Sequence, residues 1–405
     1  MSRPLRILLA SPAYWPAHAF GGPVVVAREL VARLTRDGHE VDVVTTTLVD
    51  VGERPSRRTR VAQADGATVT YLGTPVRYRW MGITPTLPAY LARRSRPDVV
   101  HVMGFRDPVS TGVAAWCRLR RIPYVFEPVG MFRPRLRKVA LKRAFDATLA
   151  RGVAGGAALV VVSSGRERDD VAAGGAAPER VRERGNAFPV PPAPAADDPL
   201  AGVVPEGAPV VLYVGRIAAE KGVEHLLEAA RRLPAAHVVL VGPDDRHGTM
   251  DAVRAALVDP GTHGRVHVLP PTAGPPYGLY RRADVFVLAS GGENFGLVAA
   301  EAAAVGTPVI VSDRTGVASA FREGEALVVP YSADATVAAV ERVLADISLR
   351  RRLSEGALRA AARTTWDDVA AQQVAIYREA IGEAADNACG DSPQALSGPR
   401  IRRGR

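Results

Sequence analysis

Short apolar runs rich in valine recur along the whole chain, and stretches with helical spacing separate them. In the first half, the runs cover residues 7–9, 41–44, 69–72, 99–102, 124–126 and 159–162. A run without polar alternation is typical of a parallel strand that helices cover on both faces. Between the first two runs, Val24, Ala27, Val31 and Leu34 recur at helical spacing, and Gly38 follows the end of that pattern. The first half is therefore predicted to be a doubly wound α/β domain.

A proline-rich stretch separates this half from a second one of the same kind. Residues 189–209 contain seven prolines, which neither a central strand nor a helix interior accepts. Beyond it, apolar runs return at 210–214, 238–241, 266–269, 285–288, 309–311 and 327–329. A chain of 405 residues is long enough for two domains. We predict a first domain over 1–188, a linker over 189–209, a second domain over 210–365 and a disordered polar tail over 384–405.

Positive charge is the feature of the composition that bears on function. The net charge of +10 favours an anionic partner, such as nucleic acid, an acidic membrane surface or a phosphorylated substrate. The basic residues are scattered and no nucleic-acid recognition module is found, so we expect no nucleic-acid partner.

Two cysteines exclude a disulfide framework within one chain and favour a reducing compartment. The apolar run at 5–10 is too short for a secretory signal, and we expect a cytoplasmic protein.

The segment 290–297, Ser-Gly-Gly-Glu-Asn-Phe-Gly-Leu, follows a predicted strand and opens a helical pattern. A glycine-rich turn at a helix start aims free backbone amides at a ligand above the strand, which suits an anion. Glu293 lies in this turn, and Glu301 lies within the second turn of the predicted helix. A carboxylate can accept two sugar hydroxyls at once. A capping loop and a surface glutamate are the alternative interpretation of the motif on its own.

A second motif follows the predicted strand 210–214. It contains Gly215-Arg216 and, after four intervening residues, Lys221-Gly222. Arg216 offers a planar fork of donors and Lys221 a mobile point charge, which together suit a diphosphate. Solvated side chains beside a turn are the alternative. Because the carboxyl ends of parallel strands form one edge of a sheet, both motifs are predicted to face the same cleft.

A third motif, Gly21-Gly22-Pro23, lies between the first predicted strand and the first helix. Glycines there let a ligand approach the backbone at a helix N-terminus. The segment has neither the G-x-G-x-x-G dinucleotide pattern nor the G-x-x-x-x-G-K-[ST] phosphate loop.

Taken together, these motifs resemble the retaining glycosyltransferases of family 4, which have the GT-B fold of two Rossmann-like domains facing across a cleft. The specific part of the match is the pair Glu293 and Glu301 with Phe295-Gly296 and Gly306-Thr307-Pro308. The supporting parts extend nearly end to end, at 21–23, 37–41, 97–101, 214–216, 221–222 and 366–377.

The resemblance implies a nucleotide-sugar donor bound mainly by the second domain and an acceptor against the first. Glu301 would hold the ribose hydroxyls, while Arg216 and Lys221 would neutralise the departing diphosphate. Gly22 would touch the donor from the opposite side of the cleft, and the helix 366–383 would cross back onto the first domain. The donor-binding residues would be Gly22, Arg216, Lys221, Glu293, Asn294, Phe295, Gly296, Leu297 and Glu301, of which Arg216, Lys221 and Glu293 would be catalytic.

No cofactor or metal site is predicted. Negative charge develops on the phosphate as the bond to the sugar breaks, and preorganised cations can stabilise it without magnesium. Asp244-Asp245 is interpreted as a solvated loop, and His263 with His267 lacks a third ligand for zinc.

One departure from the family lies after the strand 124–126. Many relatives have a histidine there, just before a glycine, whereas this chain has Val129. A role for Glu127 near the reacting carbon is a hypothesis, and Gly21 and His101 are the other acceptor-side candidates. A satisfied structural histidine at a strand end is the alternative for His101.

The segment 133–143 carries six basic residues and no acid, interleaved with apolar ones. It suits peripheral contact with an anionic membrane or with an anionic acceptor, and a solvated helix face is the alternative. Two other functions stay open: an NDP-sugar epimerase of similar shape, and a nucleic-acid-binding protein driven by the net charge.

Overall fold

The computed structural model describes residues 3–50, 52–78, 81–132, 151–194, 197–272 and 274–383. The predicted tail 384–405 and the basic segment 133–143 lie outside the described residues. Two sheets of mainly parallel strands, each flanked by helices, lie on either side of the stretch 189–209 along the chain. The doubly wound architecture predicted from the apolar runs is therefore confirmed.

The first sheet has eight strands in the order β10-β9-β8-β7-β1-β2-β4-β3. Its strands are β1 Arg6–Ala10, β2 Glu40–Thr46, β3 Arg60–Ala64, β4 Ala67–Leu72, β7 Val99–Met103, β8 Tyr124–Glu127, β9 Leu159–Val162 and β10 Val181–Glu183. All neighbours pair in parallel except β3, which lies antiparallel to β4 at the edge. A separate antiparallel hairpin consists of β5 Val76–Tyr78 and β6 Met81–Ile83.

Every apolar run predicted as a strand in the first half lies within one of these strands. The strands that the sequence analysis missed are β3, β5, β6 and β10. They are three to five residues long, and β3 reads Arg-Val-Ala-Gln-Ala with no buried residue. A short, exposed edge strand needs no apolar run, so its sequence resembles that of a loop.

The second sheet has six parallel strands in the order β13-β12-β11-β14-β15-β16. They are β11 Val210–Val214, β12 His237–Val241, β13 Val266–Leu269, β14 Val285–Leu288, β15 Val309–Ser312 and β16 Leu327–Val329. The strand order reverses between β11 and β14, which pair directly. Ligands of open α/β sheets bind beyond the carboxyl ends of the strands at such a reversal.

Helices cover both sheets. In the first part of the chain the described helices are α1 Gly22–Arg36, α2 Leu87–Ala92, α3 Pro108–Arg120, α4 Arg151–Gly155 and α5 Gly165–Ala173. In the second they are α6 Val223–Arg232, α7 Thr249–Val258, α8 Tyr277–Arg282, α9 Leu297–Ala304, α10 Ala333–Ala345, α11 Ile347–Arg363 and α12 Trp366–Ala380. None of these helices has the length and apolar composition that a membrane-spanning segment requires.

Helix α12 packs on the first domain although it follows the second in sequence. Thr365 caps its start and forms a reciprocal capping box with Asp368. Trp366, Val369 and Tyr377 are buried in the same apolar cluster as the strands and α1 of the first domain. This burial holds the end of the described chain against the first sheet.

Candidate active site

The loops that follow β11 and β14 are joined by backbone contacts. The Glu220 carbonyl accepts hydrogen bonds from the Gly291 amide at 2.8 Å and from the Ser290 hydroxyl at 3.0 Å. Gly222 has a φ of +69°, and a Cβ there would lie 1.8 Å from the carbonyl oxygen of Ala289. Only glycine satisfies both the positive φ and the close approach. The two motifs predicted from the sequence therefore meet at one place.

Lys221 and Glu293 form an ion pair across these two loops. The side chain of Lys221 is 15% exposed and that of Glu293 is 23% exposed, so the pair is partly enclosed and still reaches solvent. Partial enclosure strengthens the interaction because less water screens it.

Arg216 follows β11 and extends into solvent, with 55% of its side chain exposed. Its carbonyl accepts a hydrogen bond of 2.7 Å from the hydroxyl of Tyr213, which is fully buried. Its guanidinium lies 3.8 Å from Glu220, too far for a hydrogen bond. The backbone is therefore anchored while the charged group projects outward, where an anion can reach it.

Glu301 is the charged residue of α9, a helix that is otherwise alanine-rich and buried. It is 8% exposed, and its Oε2 accepts a hydrogen bond of 2.7 Å from the hydroxyl of Tyr280 on α8. Burial raises the pKa of Glu301 to about 7, and the Tyr280 hydrogen bond partly opposes that rise. A buried carboxylate with one bound donor retains lone pairs for further hydroxyl donors.

The start of α1 faces the start of α9 across the gap between the domains. A Cβ at Gly22 would lie 3.2 Å from Cδ1 of Leu297, whose side chain packs against the apolar clusters of both domains. Gly21 precedes α1 with φ +71° and ψ −145°, a conformation that glycine adopts without strain. Gly296 precedes α9 with a φ of +106°. Two glycine-capped helix starts therefore approach each other here.

Asn294 and Phe295 point in different directions from the 290–297 loop. Phe295 is 5% exposed, and its carbonyl accepts a hydrogen bond of 2.7 Å from the Val317 amide. Its side chain therefore packs in the core of the second domain. The Asn294 side chain instead faces the first domain, where it contacts Ser163 and Glu167. The donor-binding role assigned to the amides of 294–297 stays a prediction.

The turn after β8 also reaches the second domain. Val129 and Gly130 both have positive φ, of +52° and +76°. A left-handed conformation is strained for a β-branched residue such as Val129. A Cβ at Gly130 would lie 2.7 Å from the Cβ of Asn294. The position where relatives have a histidine therefore lies beside the 290–297 loop.

Glu127 and His101 lie inside the first domain, 1% and 0% exposed. Oε1 of Glu127 accepts a hydrogen bond of 2.8 Å from Arg184, and Oε2 lies 3.1 Å from Nε2 of His101, without the alignment of a hydrogen bond. Nδ1 of His101 lies 2.8 Å from the hydroxyl of Tyr377 on α12. Arg184 also donates to the side chain of Gln373 on α12.

The charges of this cluster follow from its burial. Burial lowers the pKa of His101, so the ring is neutral and can accept from Tyr377. Burial alone would raise the pKa of Glu127, but the Arg184 charge and the contact with His101 bring it below its ordinary value. Because these partners belong to the first domain and α12, the contacts do not support an acceptor-side role for Glu127 or His101.

Among the described residues, no group of three or more His, Cys, Asp or Glu side chains is arranged to hold a metal ion. His267 instead contacts His237, with 3.0 Å between ring nitrogens, and His263 contacts a backbone carbonyl. Asp244 and Asp245 each accept a hydrogen bond from a backbone amide two residues further on. These loops have the polar turn structure expected from the sequence.

Tyr280 and Glu167 are not among the residues predicted from the sequence. Tyr280 lies on the six-residue helix α8, and nothing in its local sequence distinguishes it. Glu167 lies three residues after Ser164, which caps α5, and this Ser-x-x-Glu spacing is a helix-start pattern. That pattern identifies a helix N-terminus, but it gives no indication of a contact with another domain.

Comparison with known proteins gives the same architecture. A family model described as glycosyl transferases group 1 matches residues 198–359, and one described as glycosyl transferase 4-like domain matches residues 21–187. Sucrose-phosphate synthase from Thermosynechococcus elongatus has a TM-score of 0.74 at 25% identity, covering 93% of this chain and 99% of that one. Anabaena HepE in complex with UDP and glucose has a TM-score of 0.71 at 19% identity, covering 92% and 98%. The likeness to HepE concerns the fold alone.

Each of the two domains is thus matched by a glycosyltransferase family model. The chain belongs to the GT-B glycosyltransferases, as its motifs predicted. A D-inositol 3-phosphate glycosyltransferase from Jonesia denitrificans is 36% identical over 187 residues, which are 44% of each chain. One from Corynebacterium glutamicum is 35% identical over 190 residues, which are 44% of this chain and 45% of the relative. The matched region therefore spans less than half the length of these curated relatives.

Proposed function

We propose that the protein is a retaining glycosyltransferase that moves a sugar from a nucleoside diphosphate donor to an acceptor. The observation that carries this proposal is the contact between Lys221 and Glu293 at the carboxyl ends of β11 and β14. The two glycosyltransferase family models and the names of the D-inositol 3-phosphate glycosyltransferases support the same class of reaction.

In this proposal the second domain stabilises the leaving diphosphate. Arg216 projects into solvent within reach of a bound anion, and Lys221 exchanges its contact with Glu293 for one with phosphate oxygens. Because negative charge grows on the phosphate as the sugar departs, fixed cations stabilise the transition state more than the ground state. Glu293, released from Lys221, can then accept hydrogen bonds from the donor sugar.

In the same proposal, Glu301 binds the ribose hydroxyls of the donor. It must be ionised to accept two hydroxyl donors, and its pKa of about 7 leaves it partly protonated near neutral pH. Hydroxyl donors favour the charged form, so a bound nucleotide should lower the pKa of Glu301. Donor binding and deprotonation of Glu301 are therefore coupled.

The acceptor side would be formed by backbone and loops of the first domain. Gly22 lies at the cleft, opposite Leu297, while Glu127 and His101 are enclosed. We accordingly assign the acceptor to the loops that follow β1, β7 and β8. No metal cofactor enters the proposal because Arg216 and Lys221 supply the positive charge, and chelation with EDTA should leave turnover unchanged.

A thermal-shift panel of UDP, GDP, ADP and dTDP sugars tests the proposal. Ligand at about a hundred times its dissociation constant stabilises by roughly 2.7 kcal/mol, so a true donor gives a clear shift. R216A and E301Q should lose that shift. The matched control is R254A, because Arg254 is an exposed surface residue of α7, with 65% of its side chain accessible. If R216A and E301Q both keep the full shift, the site assignment is wrong.

NMR analysis of the products separates the proposed transfer from epimerisation. Transfer releases the nucleoside diphosphate and keeps the anomeric configuration, whereas an epimerase returns a nucleotide sugar with one inverted carbon. Detection of an epimerised donor without release of diphosphate would contradict the proposal.

We further propose a cytoplasmic protein that contacts anionic membranes peripherally through the basic segment 133–143. Its support is the sequence, with six basic residues and no acid. Cosedimentation with vesicles that contain phosphatidylglycerol, but not with neutral vesicles, is the expected result. Equal pelleting with both would contradict it.

A further inference from the structure

Glu167 is a buried carboxylate at the start of α5 that the proposed reaction does not use. It is 2% exposed. Its Oε1 accepts a hydrogen bond from the Gly130 amide, and its Oε2 accepts from the Ser163 amide at 2.8 Å. The Ser163 hydroxyl lies 3.0 Å from the same oxygen. Glu167 thus joins the turn after β8 to the end of β9.

The same carboxylate faces Asn294 of the second domain. With the amide nitrogen of Asn294 directed toward it, the distances to Oε2 and Oε1 of Glu167 are 3.1 and 3.2 Å. The amide oxygen then accepts from the Ser163 hydroxyl at 3.0 Å. This orientation is the one that fits, because the Glu167 oxygens already accept from the Gly130 and Ser163 amides and so face Asn294 as acceptors that need a donor.

Two neighbours of Glu167 reach the same part of the second domain. The Ser164 hydroxyl lies 3.3 Å from the backbone carbonyl of Asn294. Arg166 donates a hydrogen bond of 2.6 Å to the carbonyl of Arg314, which also accepts from the Glu293 amide at 3.2 Å. The first domain therefore contacts Asn294 directly and Glu293 through the carbonyl of Arg314.

We propose that Glu167 is a positioning residue. It binds the side chain of Asn294 across the domain boundary and so fixes the position of the 290–297 loop, which carries Glu293. This inference rests on the proposed function, because that function gives the loop its donor. Glu293 immediately precedes Asn294 in the chain, so a shift of the Asn294 backbone moves the carboxylate that pairs with Lys221. Because Glu167 is only 2% exposed, its effect on the donor passes through Asn294.

The competing explanation is that Glu167 only stabilises the first domain. Its bonds to Gly130 and Ser163 lie within that domain and are sufficient to account for a loss of stability on mutation. A lower melting temperature of a variant therefore does not distinguish the two explanations. The test must therefore measure a property of the second domain.

Amide hydrogen exchange of the protein without ligand provides that readout. In E167Q, we expect exchange of the peptides covering 291–294 and 314–317 to rise by about tenfold or more, as for loss of one hydrogen bond to a charged group. The control is E179Q, because Glu179 is an exposed glutamate of the same domain, and it should exchange like the wild type. Faster exchange confined to 128–131 and 163–167 in E167Q would overturn the proposal.

Swapping the two side chain types between positions 167 and 294 tests the contact directly. N294D places a second carboxylate at the distance where the amide now lies, and repulsion should open the contact. E167Q/N294D restores one amide and one carboxylate in reversed positions. We expect the double variant to exchange more slowly than N294D in 291–294 and 314–317. Additive effects of the two substitutions would contradict a direct interaction.

Turnover then connects the contact to the reaction. With the nucleotide sugar that gives the largest thermal shift, E167Q should lower kcat by about tenfold while KM changes little, because the loop is misplaced and the diphosphate groups remain. An unchanged kcat would refute the positioning role. The exchange experiments need no substrate, so they decide the Glu167–Asn294 contact even if no nucleotide sugar binds the wild-type protein.

Discussion

Replacing Glu301 by Gln removes a buried titratable group with little change of shape. The wild-type carboxyl has a pKa of about 7, compared with an ordinary value of 4.5. The folded state therefore binds more protons than the unfolded state between these values, and stability falls as pH rises through that window. Each pKa unit corresponds to about 1.36 kcal/mol, so the shift amounts to roughly 3 kcal/mol. This contribution is fully present below the unfolded pKa and is lost as pH rises through about 7.

The glutamine variant has no such dependence at this position. We expect the unfolding free energy of E301Q, relative to wild type, to rise by roughly 3 kcal/mol between pH 4.5 and pH 8. Urea unfolding at half-unit pH intervals, followed by a probe of the second domain, gives the difference. The control E355Q removes an exposed glutamate from α11 and should track the wild type. A flat difference for E301Q across this range would refute the argument that Glu301 is buried with a raised pKa.

The same titration predicts how a donor binds. Because hydroxyl donors require the ionised carboxylate, the thermal shift caused by a nucleotide sugar should grow from pH 6 to pH 8. A shift that is equal at both pH values would contradict contact between Glu301 and the ribose.

Other substitutions test the site and its support. G222A should destabilise the second domain far more than G264A, because both glycines have positive φ but only the first meets a carbonyl oxygen where a Cβ would stand; thermal unfolding of the two variants measures this, and equal losses would contradict the packing argument. K221M should weaken binding of a nucleoside diphosphate by about tenfold or more in calorimetry, and unchanged affinity would exclude a phosphate contact. R184M leaves Glu127 buried without its partner and should cost about 3–5 kcal/mol of stability in urea unfolding. E127Q should keep turnover, and loss of turnover without loss of stability would restore the catalytic hypothesis for that residue.

The central strands of both sheets could be predicted because they are buried on both faces. Their apolar runs, such as 99–102 and 285–288, carry no alternation that loops or exposed strands would share. The edge strand β3 escaped for the same reason, since its exposed residues need not be apolar. The meeting of Lys221 with Glu293 could also be foreseen, because each follows a parallel strand of one sheet and carboxyl ends share an edge.

The fate of Glu127 and His101 could not be foreseen in this way. Local sequence placed them at strand ends, where a cleft is expected, but Arg184 and the Tyr377 of α12 enclose them. Arg184 lies 57 residues from Glu127 in the chain, and Tyr377 lies 276 residues from His101. No short motif carries information on contacts over such separations.

Sequence alone determined the fold class, the two glycine-rich loops and the charges that they carry, because these depend on local pattern and on the period of strands and helices. Tertiary structure alone decided which polar groups are sealed and which are open. It sealed Glu127 inside the first domain, gave Glu301 a tyrosine partner, and set Glu167 against Asn294 across the domain boundary. Burial and partners are properties of residues distant in the chain, and they govern the charge state and direction of each carboxylate.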